Sequence, residues 1–63
     1  MPDQLTIRNW RQIREMTQQD VADVLRVSVK TVGEWEKSEQ NVKALVIYAL
    51  AKLYDIEIDQ IKV

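Results

Sequence analysis

An all-α domain is what this sequence predicts, and two observations carry the prediction. From Thr17 to Glu36 the chain reads as two short helices joined by a tight turn, each opened by a hydroxyl residue able to cap it, Thr17 and Ser28. Apolar residues in both fall where helices crossing at a steep angle would bury them. This is a helix-turn-helix unit, spanning about 17–37, and the remaining segments read as helices that hold it in shape.

Helix one is expected over Leu5 to Glu15, with Asp3 or Thr6 as its cap. Ile7 and Trp10 lie three apart and share a face that Arg11 and Arg14 continue. Trp10 is read as a core residue, and Met16 turns the chain back toward the core. Thr17 caps helix two. Asp20, three residues on, makes a weaker form of the capping box, which prefers Glu or Gln. Val21, Ala22, Val24 and Leu25 follow at helical spacing, with Ala22 small enough to admit another helix. Arg26 and Val27 form the turn, Val27 pointing inward. Ser28 then caps helix three, whose Val32 and Trp35 face the core. Val29, Lys30, Gly33 and Glu34 fall mostly on the opposite face. Gly33 inside a helix costs about 1 kcal/mol against Ala. Either a close approach to another surface requires it or a surface site tolerates it.

Residues 37–42 form a mostly polar connection, and helix four is expected from Lys43 to Tyr54. Ala44, Ile47, Leu50, Ala51 and Tyr54 make its main apolar face, with Leu45, Val46, Ala49 and Leu53 around the sides. A helix apolar nearly all round is normally buried. In so small a domain, a partner or the C-terminal segment must cover one side. Asp55 ends the helix. Ile56, Ile58 and Ile61 suggest a final turn of helix from about Ile58, capped by Glu57, although the Ile-Glu-Ile alternation also permits a short strand.

Composition bounds the function. Sixty-three residues make a single domain, 1–63, that buries only about 60% of its unfolded surface. Cys and His are both absent, which removes disulfides, thiolate metal sites and the usual general base near neutral pH. With no phosphate-cradling Gly loop either, no enzyme, metal, cofactor or small-molecule substrate is expected. The longest apolar run, Ala44 to Ala51, is far below the roughly 20 residues that span a bilayer. The Met-Pro-Asp-Gln start lacks the basic and apolar regions of a signal peptide. A soluble cytoplasmic protein with no membrane partner is expected. Net charge is −1 and pI near 5.2. Residues 1–16 carry net +1, while 17–43 and 44–63 each carry −1, so any positive surface must be assembled in three dimensions.

The residues now assembled resemble the phage repressor and Cro type of helix-turn-helix domain, the lambda repressor-like or XRE family. The matching residues are Arg11, Thr17-Gln18, Val21-Ala22, Leu25, Val27-Ser28, Thr31-Val32 and Trp35-Glu36. Leu50-Ala51, Ile56 and Ile58-Asp59-Gln60-Ile61 match the end of the domain. Together they cover about Leu5 to Ile61 in one order and spacing. The resemblance implies a compact five-helix fold with the helix-turn-helix as helices two and three. It also implies sequence-specific binding to double-stranded DNA, a phage, prophage or mobile-element origin, and an ion pair between Arg11 and Glu36. Such a pair would tie helix one to the end of helix three and could turn the arginine toward a phosphate. The chain departs from the family where it often has Gly, at Arg26, Ser38 and Asp55. Asp tolerates a left-handed backbone better than Arg does.

On that resemblance, helix three reads the major groove, and the contacts divide into positioning and reading. Gln18, Ser28, Thr31, Lys37 and Lys43 are the expected phosphate contacts. Val29, Lys30, Gly33 and Glu34 are the expected base-reading positions: Lys30 for guanine O6 and N7, Glu34 for cytosine N4, Val29 for a thymine methyl. A bland alternative for Glu34 is a solvated charge paired with Lys30 four residues earlier. Regulators of this type usually dimerise to read two half-sites. The apolar residues to spare, Leu45, Val46, Ala49, Leu53, Ile61 and Val63, form a candidate homodimer interface, or else complete a monomer core. The expected function is a transcriptional regulator, nucleoid-associated in a bacterial cytoplasm. The competing reading is a protein-interaction module of the same fold, of antirepressor or antitoxin kind, which the acidic balance and Glu34 favour.

Overall fold

The computed structural model describes residues 4–37 and 42–62. Its first helix, α1 (Ile7–Ile13), starts where Thr6 Oγ1 accepts the Asn9 N–H at 3.1 Å. It is shorter than the expected Leu5–Glu15 at both ends. Leu5 is drawn into an isolated parallel bridge with Ile61 instead: its N–H donates to Gln60 O at 3.0 Å, and its carbonyl accepts from Lys62 N at 2.9 Å. At the other end Glu15 adopts a left-handed φ of 56°, which stops the helix.

The second helix, α2 (Gln18–Leu25), opens with the expected capping box. Asp20 N donates to Thr17 Oγ1 at 3.0 Å, and Thr17 N donates to Asp20 Oδ2 at 2.9 Å. Helix α3 (Val29–Lys37) begins at Ser28, whose Oγ accepts the Thr31 N–H at 3.1 Å. Helix α4 (Ala44–Tyr54) follows Lys43, and a single 3-10 turn (Ile58–Gln60) follows α4. Among the described residues there is no fifth α-helix; that 3-10 turn stands where the resemblance put one. Glu57 holds it through its backbone N–H, which donates to Gln60 Oε1 at 2.8 Å.

Three helices end in the same way. A left-handed residue follows the last turn, and the next N–H reaches back five residues to a carbonyl of that turn. Glu15 precedes Met16 N→Arg11 O (3.1 Å), Arg26 precedes Val27 N→Ala22 O (3.0 Å), and Asp55 precedes Ile56 N→Ala51 O (3.0 Å). None of the three is Gly, so each carries a Cβ in a conformation disfavoured by about 1 kcal/mol or more. Packing of the next segment holds them there. Val27 and Ile56 both lie against the core, immediately after their turns.

The core gathers one or more residues from each of the four α-helices, and Ile61 just after the 3-10 turn: Ile7, Val21, Ala22, Val32, Ile47, Leu50, Ala51, Tyr54 and Ile61. Full burial of an Ile or Leu contributes about 1.5–3 kcal/mol. Ala22 is 1% exposed, so the small side chain expected at a helix contact does lie in the core. Trp10 is half-buried rather than enclosed, because its Nε1 donates to Gln60 O at 2.9 Å at the domain edge. Ala44, expected on the buried face of α4, is exposed.

Three residues of the candidate dimer interface pack against the chain's own core, as the alternative reading of them had it. Ile61, assigned to a dimer interface, is 2% exposed and belongs to the core, because the bridge to Leu5 rotates its side chain inward. Leu53 and Val46 are half-buried and packed against the core. Asp3, Ser38 and Val63 lie outside the described residues. No described helix is long and apolar enough to cross a membrane.

Candidate functional site

The site is built where the start of α2 meets the end of α3, with α1 alongside. Arg11, in the last turn of α1, lays its guanidinium against the Glu36 carboxylate. Arg11 Nε donates to Glu36 Oε2 at 2.7 Å and Nη2 donates to Oε1 at 3.2 Å. The two side chains are 11% and 5% exposed. The third donor of Arg11, Nη1, reaches Met16 O at 2.8 Å. Gln18 Nε2 adds a further bond to Glu36 Oε1 at 3.0 Å. The carboxylate therefore receives three N–H groups from two helices. Hydrogen bonding to Glu36 raises the Arg11 pKa above its ordinary value, outweighing the opposing effect of burial.

Tyr54 lies beneath this network, fully buried. Burial first, and the negative Glu36 second, push its phenol up to about 12, against a smaller lowering by Arg11. The hydroxyl thus stays neutral at any physiological pH, and the charge of the site rests on Arg11 and Glu36.

Above the network opens a cleft of about 690 Å3, lined by Arg8, Arg11, Gln18, Gln19, Glu36 and Lys37, with Thr17 and Gly33. With Glu36 neutralised by Arg11, the remaining formal charges, Arg8 and Lys37, are both positive. The N-terminal turn of α2 borders the same cleft, and a helix N-terminus favours an anion. Arg8 and Gln19 were not singled out from sequence. The signal available was spacing alone: Arg8 lies three before Arg11, on the adjoining strip of α1.

The outer face of α3 lies alongside. Val29 is 42% exposed, and Lys30 and Glu34 are exposed. Among the described residues neither Lys30 nor Glu34 has a hydrogen-bond or ion-pair partner, so the i,i+4 pair between them is not formed. Gly33 is half-buried instead of lying open on this face. A Cβ placed there would meet the Gln18 amide at 3.8 Å and 4.0 Å, ordinary contact distances. Its helical backbone has no positive φ. Neither sterics nor φ within the chain requires glycine at this point.

The expected positioning residues do not all lie free. Gln18 is half-buried, with its amide engaged by Glu36. The Ser28 and Thr31 hydroxyls are 2.9 Å apart and bonded to each other, and Ser28 Oγ also caps α3. Lys37 and Lys43 are exposed, at the end of α3 and just before α4. Of the candidate interface residues, Leu45 is 81% exposed, while Val46 and Ala49 are half-buried and border a separate apolar groove.

Two capped helices with a left-handed turn between them, and a second helix turned outward beside a cationic cleft, define a helix-turn-helix domain. The family model described as helix-turn-helix matches residues 7–61. The chain belongs to that family, which is one of DNA-binding regulatory domains. No curated protein matches the chain, and no solved structure does.

Proposed function

We propose that the chain is a sequence-specific transcriptional regulator of the phage repressor and Cro type. In this reading α3 lies in the major groove of double-stranded DNA, in the cytoplasm at the nucleoid, and two copies read a two-part operator. The observation that supports it best is the pairing of an exposed, unpartnered α3 face with the cationic cleft beside it. Lys30 donates to guanine O6 and N7, Glu34 accepts from cytosine N4, and Val29 packs on a thymine methyl. Arg8 and Lys37 contact phosphate at the cleft, and Lys43 does so across the α3–α4 connection. Gln18 has a second amide hydrogen to offer the same backbone, while Glu36 holds the first. Arg11 acts through position: fixed on Glu36, it sets the Gln18 amide and the cleft wall. Ser28 and Thr31 contribute hydroxyl lone pairs and the N-terminal end of α3.

Selection from random duplex DNA, followed by mobility-shift titration against salt, tests the proposal. Three phosphate contacts per copy give a log–log salt slope of about −3, and about −5 for two copies. Lys30→Ala should change the preferred base at one position of each half-site and weaken binding there by about 1–3 kcal/mol. The reading fails if no motif is enriched and no duplex outcompetes bulk DNA at low salt.

A second reading, a module that binds a partner protein, draws on the exposed acids Glu34, Asp20 and Asp23. Binding of a protein through largely apolar contacts would leave the affinity nearly flat across the same salt range. The one titration therefore separates the two.

A further inference from the structure

Helix α3 carries two carboxylates in opposite states. Glu36 is buried and receives three N–H groups from Arg11 and Gln18. Glu34, two residues earlier, is exposed and receives none. Lys30 lies four residues before Glu34 and Lys37 three after it, both neighbours on the helix surface. Among the described residues neither lysine bonds to it. The acceptor on the outer face of α3 is therefore open to a donor from outside the chain.

An ionised carboxylate set against the major groove can only accept. Guanine presents O6 and N7 there, thymine presents O4 and a methyl, and adenine sets its N7 acceptor beside its N6 donor. Cytosine presents a donor, N4–H, with no acceptor beside it. One N4 hydrogen is held in the base pair and the other faces the groove. A methyl group on N4 takes the place of the groove-facing hydrogen, because the pair needs the other. We propose that Glu34 makes binding depend on the modification state of the DNA: N4-methylation of the cytosine it reads excludes the chain, and C5-methylation of the same base does not. The N4 methyl removes the donor that Glu34 accepts from and leaves a desolvated carboxylate against an apolar group. A C5 methyl leaves both N4 hydrogens in place and stands where thymine carries its own. The helix also sets where the effect falls. Four residues of α-helix rise about 6 Å, and base pairs are stacked about 3.4 Å apart. The sensitive cytosine thus lies within about two pairs of the guanine that Lys30 reads. The inference rests on the DNA reading and adds a regulation to it.

The test uses the full chain and the duplex selected from random DNA. That duplex is resynthesised with N4-methylcytosine at each cytosine in turn, and separately with 5-methylcytosine. Each is titrated by mobility shift at one salt concentration. N4-methylation at one position of a half-site should weaken binding at least about tenfold. The same position carrying 5-methylcytosine should bind like the unmodified duplex. Glu34→Ala, at an exposed position, should keep the circular dichroism spectrum of the parent and bind N4-methylated and unmodified duplex alike. Binding unmoved by N4-methylation at every cytosine of the motif overturns the inference and keeps the DNA reading. An equal loss from 5-methylcytosine also overturns it, because the effect is then one of bulk. So does a Glu34→Ala variant as sensitive as its parent, because another residue then reads the base. A chain for which no duplex is selected loses the DNA reading, and this inference with it.

Discussion

Glu36→Ala removes the acceptor on which α1, α2 and α3 converge. Three N–H groups would lose it: Arg11 Nε at 2.7 Å, Arg11 Nη2 at 3.2 Å and Gln18 Nε2 at 3.0 Å. The cost depends on burial. An exposed ion pair is worth under about 1 kcal/mol, whereas breaking a buried one costs about 3–5 kcal/mol because a charge is stranded. At 11% and 5% side-chain exposure this pair belongs with the buried class. Arg11 keeps its bond to Met16 O, which moves the expected loss to the lower end, about 3 kcal/mol. A domain of this length has roughly 3–9 kcal/mol of stability in all. Urea unfolding followed by circular dichroism should therefore show Glu36→Ala at or near the edge of folding. Arg11→Ala should be similar, and the double variant should lose clearly less than the sum of the two. Glu34→Ala, two residues away but exposed and unpartnered, is the control and should change stability by no more than about 0.5 kcal/mol. A loss below about 1 kcal/mol for Glu36→Ala would refute the reasoning, since the pair would then be behaving as a surface contact.

Further expectations follow from the backbone and the core. Arg26→Gly relieves a side chain held at φ 58° and should raise the urea midpoint, by up to about 1 kcal/mol in stability. Gly33→Ala should also stabilise, by about 0.5–1 kcal/mol, because the new methyl meets only the Gln18 amide at ordinary contact distance. A drop in thermal midpoint would show that α2 and α3 are tighter than that distance allows. At high pH, Tyr54 sets the behaviour. Its folded pKa of about 12 lies above the ordinary 10.0, so the folded state keeps its proton longer than the unfolded chain does. This contribution is fully present below pH 10 and is lost between about pH 10 and 12, amounting to about 2–3 kcal/mol. Tyr54→Phe should flatten that part of the stability–pH curve, read by urea unfolding at each pH.

Local signals were enough to place the helix-turn-helix. Thr17 with Asp20, and Ser28, mark helix starts because a cap needs only residues within one turn of each other. The inward faces of α2 and α3 followed from spacing within each helix, Val21, Ala22 and Leu25 on α2 and Val32 and Trp35, three apart, on α3. The left-handed turn at Arg26 was legible only through the family's use of Gly there. Glu15 gave no such sign: nothing in its own identity calls for φ 56°, and the demand comes from Met16 turning back on Arg11.

The site divides along the same line. That Lys30 and Glu34 lie outward on α3 is a matter of periodicity, and the sequence by itself determined it. Sequence could not say that Gln18 spends an amide hydrogen on Glu36, or that Arg8 and Lys37 border one cleft, because those residues meet across 18 and more positions. Arg14, read from sequence as continuing the face of Ile7 and Trp10, donates to Tyr54 O at 2.6 Å at the end of α4, a partner no local pattern names. The tail shows the limit most plainly. Three isoleucines alternating with acids are compatible with helix, strand or interface. Only the bridge from Leu5 to Ile61, spanning nearly the whole chain, decides which of them turns inward. Sequence determined the helices, their caps and their polar faces, which depend on neighbours within a turn. Tertiary structure decided which apolar residues were left over for a partner, because that depends on how much surface the rest of the chain had already covered.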